Sequence, residues 1–301
     1  MTIDPKRPLP PIGGLRSELS KALPPRESAT REFAFSDADF ERVRKLIYQH
    51  AGISLSPVKK DMVYSRLARR LRALNKASFG DYLDGLERNG GDEWERFVNS
   101  LTTNLTSFFR EPHHFPIFAE HLRKLGTRRP IKIWCSAAST GEEPYSIAMT
   151  VAETFGTEAS HVSIIASDLD TNVLATAQKG VYAMDRLDKM SPERLRRFFL
   201  RGTGNQDGFA AVRPELKRLI EFRRINLLDS SYQVKGPLDV LFCRNVMIYF
   251  DKPTQYKILS RFAPMMQPDG LMFAGHSESF LHAADLFKSL GKTVYALAGA
   301  R

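Results

Sequence analysis

Two adjacent carboxylates, Glu142 and Glu143, follow six small residues (136–141) in the stretch IKIWCSAASTGEEPYS, residues 131–146. An apolar strand pattern leads into that stretch, and Pro144 reads as the opening of a helix. Small residues at such a corner let a ligand approach bare backbone at the carboxyl end of a strand. A helix N-terminus that cradles a pyrophosphate offers N–H groups and positive potential, and two carboxylates placed there would repel the phosphates. The corner also holds a single glycine, Gly141, and so lacks the G-x-G-x-x-G dinucleotide fingerprint.

A nucleoside with cationic groups and no phosphate suits this corner, and S-adenosylmethionine, with its sulfonium and ammonium, is such a ligand. The plainer alternative is that the two glutamates only complement the helix dipole. Asp168 shifts the balance: it closes the next strand-like run, IIASDLD, where an acid conventionally accepts hydrogen bonds from ribose hydroxyls. Asp170 reads instead as the N-cap of the following helix. Asn245 and Tyr249, in CRNVMIYF, fall where another strand should open into the same crevice. Asn104, Thr106 and Arg110, in NLTSFFRE, either fold across that crevice or merely cap a connector, and spacing alone leaves the two readings even.

The elements that must position these groups are legible in the periodicity. After residue 130, strand patterns (IKIWCSA, VSIIASD, IEFRRINLL, LDVLFCRNVMIYF, GLMFAGHSE, TVYALA) alternate with helix-length segments such as 144–155 and 171–179. That alternation predicts an α/β domain around a mostly parallel, doubly wound sheet over residues 131–298. Residues 194–222 break the rhythm, and their glycines and short apolar pieces predict an inserted β-element. Upstream, residues 36–101 read as a small helical domain, with Ser36 and Asp39 as a capping pair and Gly52 as a stop. Residues 102–130 link the two and include a first helix, while the proline-rich residues 1–32 are expected to be a disordered tail.

Within 57–76, seven basic residues (Lys59, Lys60, Arg66, Arg69, Arg70, Arg72 and Lys76) stand against one acid, Asp61. Like charges at helical spacing without compensation cost helix stability, so this face is expected to meet an acidic partner. The chain's net charge of +10 agrees in sign. No apolar run is long enough for a membrane span, and the N-terminus lacks the apolar core of a secretory signal, so a cytoplasmic protein is expected. Cys135 and Cys243 sit in separate apolar runs and read as reduced core thiols. The chain has no C-x-x-C and no H-E-x-x-H, and His113, His114 and His121 have no persuasive ligand spacing, so no metal is expected. GHSES (275–279) is not a nucleophile elbow, and its His276 and Ser277 read as the end of a strand.

Taken together, TTNLTSFFRE, STGEEPYSIAM, ASDLDTNVL, GVY, INLLD, FCRNVMIYFD and DGLMFAGHSE resemble the chemotaxis receptor glutamate methyltransferases, the CheR family, over about residues 36–298. The resemblance implies a Rossmann-like S-adenosylmethionine-dependent methyltransferase that esterifies glutamates on the cytoplasmic helical region of chemoreceptors, releasing S-adenosylhomocysteine. It also implies cofactor contacts at Asn104, Thr106, Arg110, Asp168, Asn226, Leu227, Arg244, Asn245 and one of the glutamates, Glu143 ahead of Glu142. The basic helix, with Lys59, Lys60, Arg66, Arg69, Arg70 and Arg72, would face the receptor, and the β-element would grip a receptor's C-terminal peptide in members that use one.

Arg110 and Tyr249 are the expected catalytic pair. Arg110 would orient a carboxylate, and Tyr249 would fix the attacking oxygen. A glutamate acceptor is ionised at neutral pH and needs no general base. A monomer without metal, nucleic acid or membrane insertion completes the expectation. Nucleic-acid methylation is the runner-up, on the basic charge and the N-x-x-Y spacing of Asn245 and Tyr249, although the prolines usual in that motif are replaced here by Val246, Met247 and Ile248. A scaffold that kept only the pocket is the third reading.

Overall fold

The four N-terminal helices are each explained by their ends and apolar faces: α1 (Asp37–Ala51), α2 (Lys60–Ala73), α3 (Phe79–Asn89) and α4 (Asp92–Leu101). The structure, a computed structural model, describes residues 31–299, so the proline-rich tail lies almost wholly outside the described residues. In α1 the Ser36 hydroxyl accepts the Asp39 N–H while the Asp39 carboxylate accepts the Ser36 N–H, a reciprocal capping box. Gly52 ends the helix at φ 68°. A Cβ there would meet Leu228 at 2.8 Å and Phe250 at 3.0 Å, so glycine serves both the left-handed turn and the close approach of this helix to the rest of the fold.

The basic stretch departs from expectation in two ways. It opens with a single 3-10 turn, Pro57–Lys59, before α2 begins. Two of its charges are also compensated, by acids from neighbouring helices rather than from its own turns. Both oxygens of Glu93 on α4 accept from Arg70, at 2.9 and 2.6 Å, and Lys60 pairs with Asp37 of α1 at 2.6 Å. Arg66 donates to the carbonyls of Ser100 and Thr102. Sequence spacing within one helix could not reveal partners that tertiary packing supplies.

Downstream, α5 (His114–Leu125) precedes a seven-stranded sheet of order β6-β2-β1-β7-β8-β10-β9. Its strands are β1 (Ile131–Cys135), β2 (Val162–Asp168), β6 (Ile220–Arg224), β7 (Leu238–Cys243), β8 (Met266–Ala274), β9 (Phe287–Gly291) and β10 (Val294–Leu297). The first five strands in that order run parallel, while β10 and β9 are antiparallel at one edge. Helices α6 (Glu142–Phe155), α7 (Thr171–Lys179) and α10 (Lys252–Phe262) provide crossovers. Alternate residues of β1 enter different cores: Ile131, Ile133 and Cys135 pack with α6, and Trp134 packs with Ile258, Leu259 and Phe262 of α10. Burial on both faces is why these strands read as continuous apolar runs.

Three strand expectations are corrected. LDVLFCRNVMIYF is strand only to Cys243, because Asn245 turns the chain at φ 58° and Met247–Tyr249 form a 3-10 turn. The inserted element expected at 194–222 is an antiparallel sheet of β3 (Val181–Ala183), β5 (Phe209–Val212) and β4 (Phe199–Arg201), carrying α8 (Pro192–Phe198) and followed by α9 (Pro214–Lys217). It therefore starts earlier, right after the left-handed Gly180, and Ile220–Arg224 belong to the large sheet. The edge strand β9 was not anticipated, because its residues FKSLG carry a single buried side chain, Phe287.

Candidate functional site

The chain reverses direction across the sheet between β1 and β7: from β1 the order proceeds to β2 and β6 on one side, and β7 and β8 lie on the other. At such a switch point the loops leave in opposite directions and open a crevice beyond the carboxyl strand ends. A cavity with about 980 Å³ of empty space, its mouth included, lies there.

Of the residues expected to touch a cofactor, Asn104, Thr106, Arg110, Glu143, Asp168, Asn226, Leu227, Arg244 and Asn245 all line this cavity, as do Tyr249 and Lys59. Glu142 does not. Its carboxylate is fully buried, accepts the Thr140 hydroxyl at 2.6 Å and pairs with Arg186 beside the small sheet. The helix separates the two glutamates: consecutive positions at the start of α6 point to different sides, and only Glu143 lines the cavity.

Glu143 sits in a dry polar cluster. Arg244 donates to it at 2.7 Å, and the Cys135 thiol donates to its other oxygen at 3.4 Å. Burial pushes the Glu143 carboxyl up, with the Arg244 guanidinium opposing the shift. Burial, reinforced by the charge of Glu143, raises the Cys135 thiol far above its ordinary range. Arg244 also donates to the Arg110 carbonyl and stands 3.4 Å from Glu111. Burial alone would raise the Glu111 carboxyl, but the His276 N–H, the Arg244 charge and the Asn245 amide together hold it at about 2.

Asp168 accepts the backbone N–H groups of Ser139 at 2.8 Å and Asp170 at 3.0 Å. Burial still raises its carboxyl. Ser139, at φ 48°, returns its hydroxyl to the Asn104 carbonyl. The Asn104 amide is itself held by Asp170 at 2.8 Å. Asp170 caps α7 as expected and also ties down the loop that begins after α4.

That loop, residues 102–111, carries Arg110 along the cavity, with two left-handed residues, Phe109 at φ 51° and Glu111 at φ 55°. The Arg110 guanidinium donates to the Leu105 carbonyl at 2.9 Å, and among the described residues no acid pairs with it. Tyr249 lies opposite, its hydroxyl 3.4 Å from the Thr103 carbonyl and its ring 5.6 Å from the Lys59 ammonium. Asn226 donates to the His50 carbonyl of α1, so the helical unit helps to shape the wall.

The basic residues divide. Lys59 reaches the cavity, and Arg70, Arg66 and Lys60 have the internal partners given above. Arg69 and Arg72 are exposed on the outer side of α2. Glu111, His113 and His114 bring ligating atoms within 4.8 Å of one another, a grouping the spacing did not suggest. The Arg244 guanidinium already neutralises that carboxylate, which disfavours a second cation there. Sequence reasoning missed Ser139, Asp170 as a tether, and Glu111. Only Glu111, adjacent to Arg110, carried a positional hint.

Comparisons with known proteins agree along the chain. Residues 104–296 match the family model described as CheR methyltransferase, SAM binding domain, and residues 38–102 match CheR methyltransferase, all-alpha domain. The chemotaxis protein methyltransferase of Escherichia coli (strain K12) is 54% identical over 269 residues, 89% of this chain and 93% of that protein. Chemotaxis protein methyltransferase 2 of Pseudomonas aeruginosa is 53% identical over 267 residues, 88% of this chain and 95% of that protein.

Proposed function

Because the chain belongs to the CheR family of S-adenosylmethionine-dependent chemotaxis methyltransferases, we propose that its acceptors are glutamate carboxylates on the helical cytoplasmic region of chemoreceptors. The observation that carries this reading is one cavity that joins two carboxylates, Glu143 and Asp168, to an arginine with no acid partner among the described residues, Arg110, and a phenol, Tyr249. The residues present fit the cofactor: Asp168 suits ribose hydroxyls, and the carboxyl oxygens of Glu143 suit an ammonium. Asn104, Thr106, Asn226, Leu227, Arg244 and Asn245 complete the pocket wall.

When bound, S-adenosylmethionine supplies a methyl carbon on a cationic sulfur, which passes in line to a carboxylate oxygen while the C–S electron pair leaves on neutral sulfur. No proton moves, so the protein's work is placement and exclusion of water. Arg110 orients a carboxylate at the cavity mouth. Tyr249 donates a hydrogen bond that fixes the attacking oxygen, and Lys59 above its ring adds positive charge where an acidic acceptor must enter. The exposed cations of α2, Arg69 and Arg72, steer the acidic receptor segment. The small sheet has exposed apolar side chains, Val181, Leu200 and Phe209, and is suited to taking an extended receptor peptide against an edge strand. The enzyme acts in the cytoplasm as a monomer. Among the described residues no helix is long and apolar enough to cross a membrane.

The test is transfer of radiolabelled methyl from S-adenosylmethionine to a receptor cytoplasmic fragment, followed by mild alkali. Label released as methanol is the expected result. Label retained through alkali would overturn ester chemistry, and label on RNA in a parallel reaction would point to the wrong acceptor class.

A further inference from the structure

Glu278 follows β8 in the GHSES segment and does not line the cavity, yet its side chain is only 5% exposed. Its two oxygens accept four backbone N–H groups. One takes Asn245 at 2.9 Å together with Gly275, and the other takes Val246 at 3.0 Å and Met247 at 2.8 Å. Successive N–H groups around a left-handed residue form a concavity that attracts anions. Here Asn245 supplies the left-handed residue, at φ 58°, and the chain's own carboxylate is the anion. The far side of the turn is closed by Gln255, whose amide donates to the carbonyls of Met247 at 2.8 Å and Phe250 at 3.0 Å. Gly275 is required at this point, since a Cβ would come within 2.3 Å of the Asn245 amide.

The turn so fixed runs from the end of β7 into Met247–Tyr249. It therefore sets both Asn245 and Tyr249, which line the cavity. A buried carboxylate is costly unless fully hydrogen-bonded, and charge-assisted bonds to backbone N–H groups are the strong kind. We propose that Glu278 is a positioning residue for methyl transfer, holding the 245–249 turn so that Asn245 and Tyr249 meet cofactor and acceptor. The assignment rests on the reading that those two residues face the reactants.

The decisive variant is Glu278→Gln, nearly the same size but with an NH2 group, a donor only, in place of one oxygen, so that two of the four N–H groups lose their acceptor and the charge is removed. Circular dichroism establishes that it folds, and hydrogen exchange follows the amides of residues 245–247. The expected result is faster exchange at those amides and a kcat lower by about tenfold or more. In a Tyr249→Phe background the same change should cost less than about threefold, because residues acting as a unit are not additive. A folded Glu278→Gln enzyme with kcat within about twofold of wild type would overturn the proposal, as would equal losses in both backgrounds. Tyr249→Phe alone separates the two readings. Wild-type kcat there removes the role of Tyr249 and this assignment with it, whereas reduced kcat with additive losses removes Glu278 alone. Should Glu278→Gln fail to fold, Glu278→Asp, which draws the charge back by one methylene, carries the same measurements.

Discussion

At Glu142 and Glu143 one step along a helix separates a fully enclosed carboxylate from one on the cavity wall. Glu143 has one oxygen on Arg244 and lies on the cavity wall, whereas Glu142 is fully buried against Thr140 and Arg186. Glu143→Gln should lower S-adenosylmethionine affinity about tenfold or more, the worth of one charge-assisted hydrogen bond, and should lower the thermal midpoint as well, because the buried Arg244 loses its charged partner. Glu142→Gln should leave cofactor affinity within about twofold while costing about 1 kcal/mol of stability, because Arg186, 44% exposed, loses its acid but keeps access to water. Titration calorimetry paired with thermal unfolding reads both, and a common phenotype for the two variants would sink the distinction. The sequence had placed both acids at one corner. It could not say which faced inward, since that depends on the helix's rotation against β1.

Within α2 the basic residues have separate duties that composition cannot distinguish. Arg70 is bidentate on Glu93, which also accepts the Tyr82 hydroxyl at 3.0 Å, so the trio ties α2, α3 and α4 together. Arg70→Ala should therefore destabilise the fold by about 2 kcal/mol. Arg69→Glu, on the exposed side, should leave the thermal midpoint unchanged and raise KM for a receptor fragment several-fold, more so at low salt. Unchanged KM across salt concentrations would remove α2 from the docking surface. The periodicity of α1, α7 and the central strands was plain in the chain because amphipathic or doubly buried elements must show it. The ends of β7 and the start of the small sheet were not, because Asn245 and Gly180 change the backbone direction locally while the apolar run continues through them.

Across the whole molecule, His114 joins the head of α5 to the antiparallel edge of the sheet. It is fully buried, with Nε2 2.9 Å from the Lys292 carbonyl and the ring 5.3 Å from Phe273. Burial first, and then the nearby Arg244 charge, lower its pKa to about 4. Below the ordinary histidine value the unfolded chain takes up a proton that the folded chain refuses. Stability from this group is therefore intact above about pH 6.5 and declines as pH falls toward 4, by about 3 kcal/mol across the window. Glu143, Asp168 and Glu278 act with the opposite sign, since burial raises their carboxyls and the folded state gains protons first on acidification. Net acid stability is thus a contest, and the histidine is isolated only by difference. His114→Gln keeps a donor for the Lys292 carbonyl and removes the titration. Denaturant midpoints measured from pH 7 to pH 4 should show wild type losing its advantage over the variant, with the two curves converging or crossing as pH falls. A stability difference that stays constant across that range would mean that His114 takes up its proton in the fold at the same pH as in the unfolded chain, with Glu111, 3.8 Å from the ring, as the counter-ion.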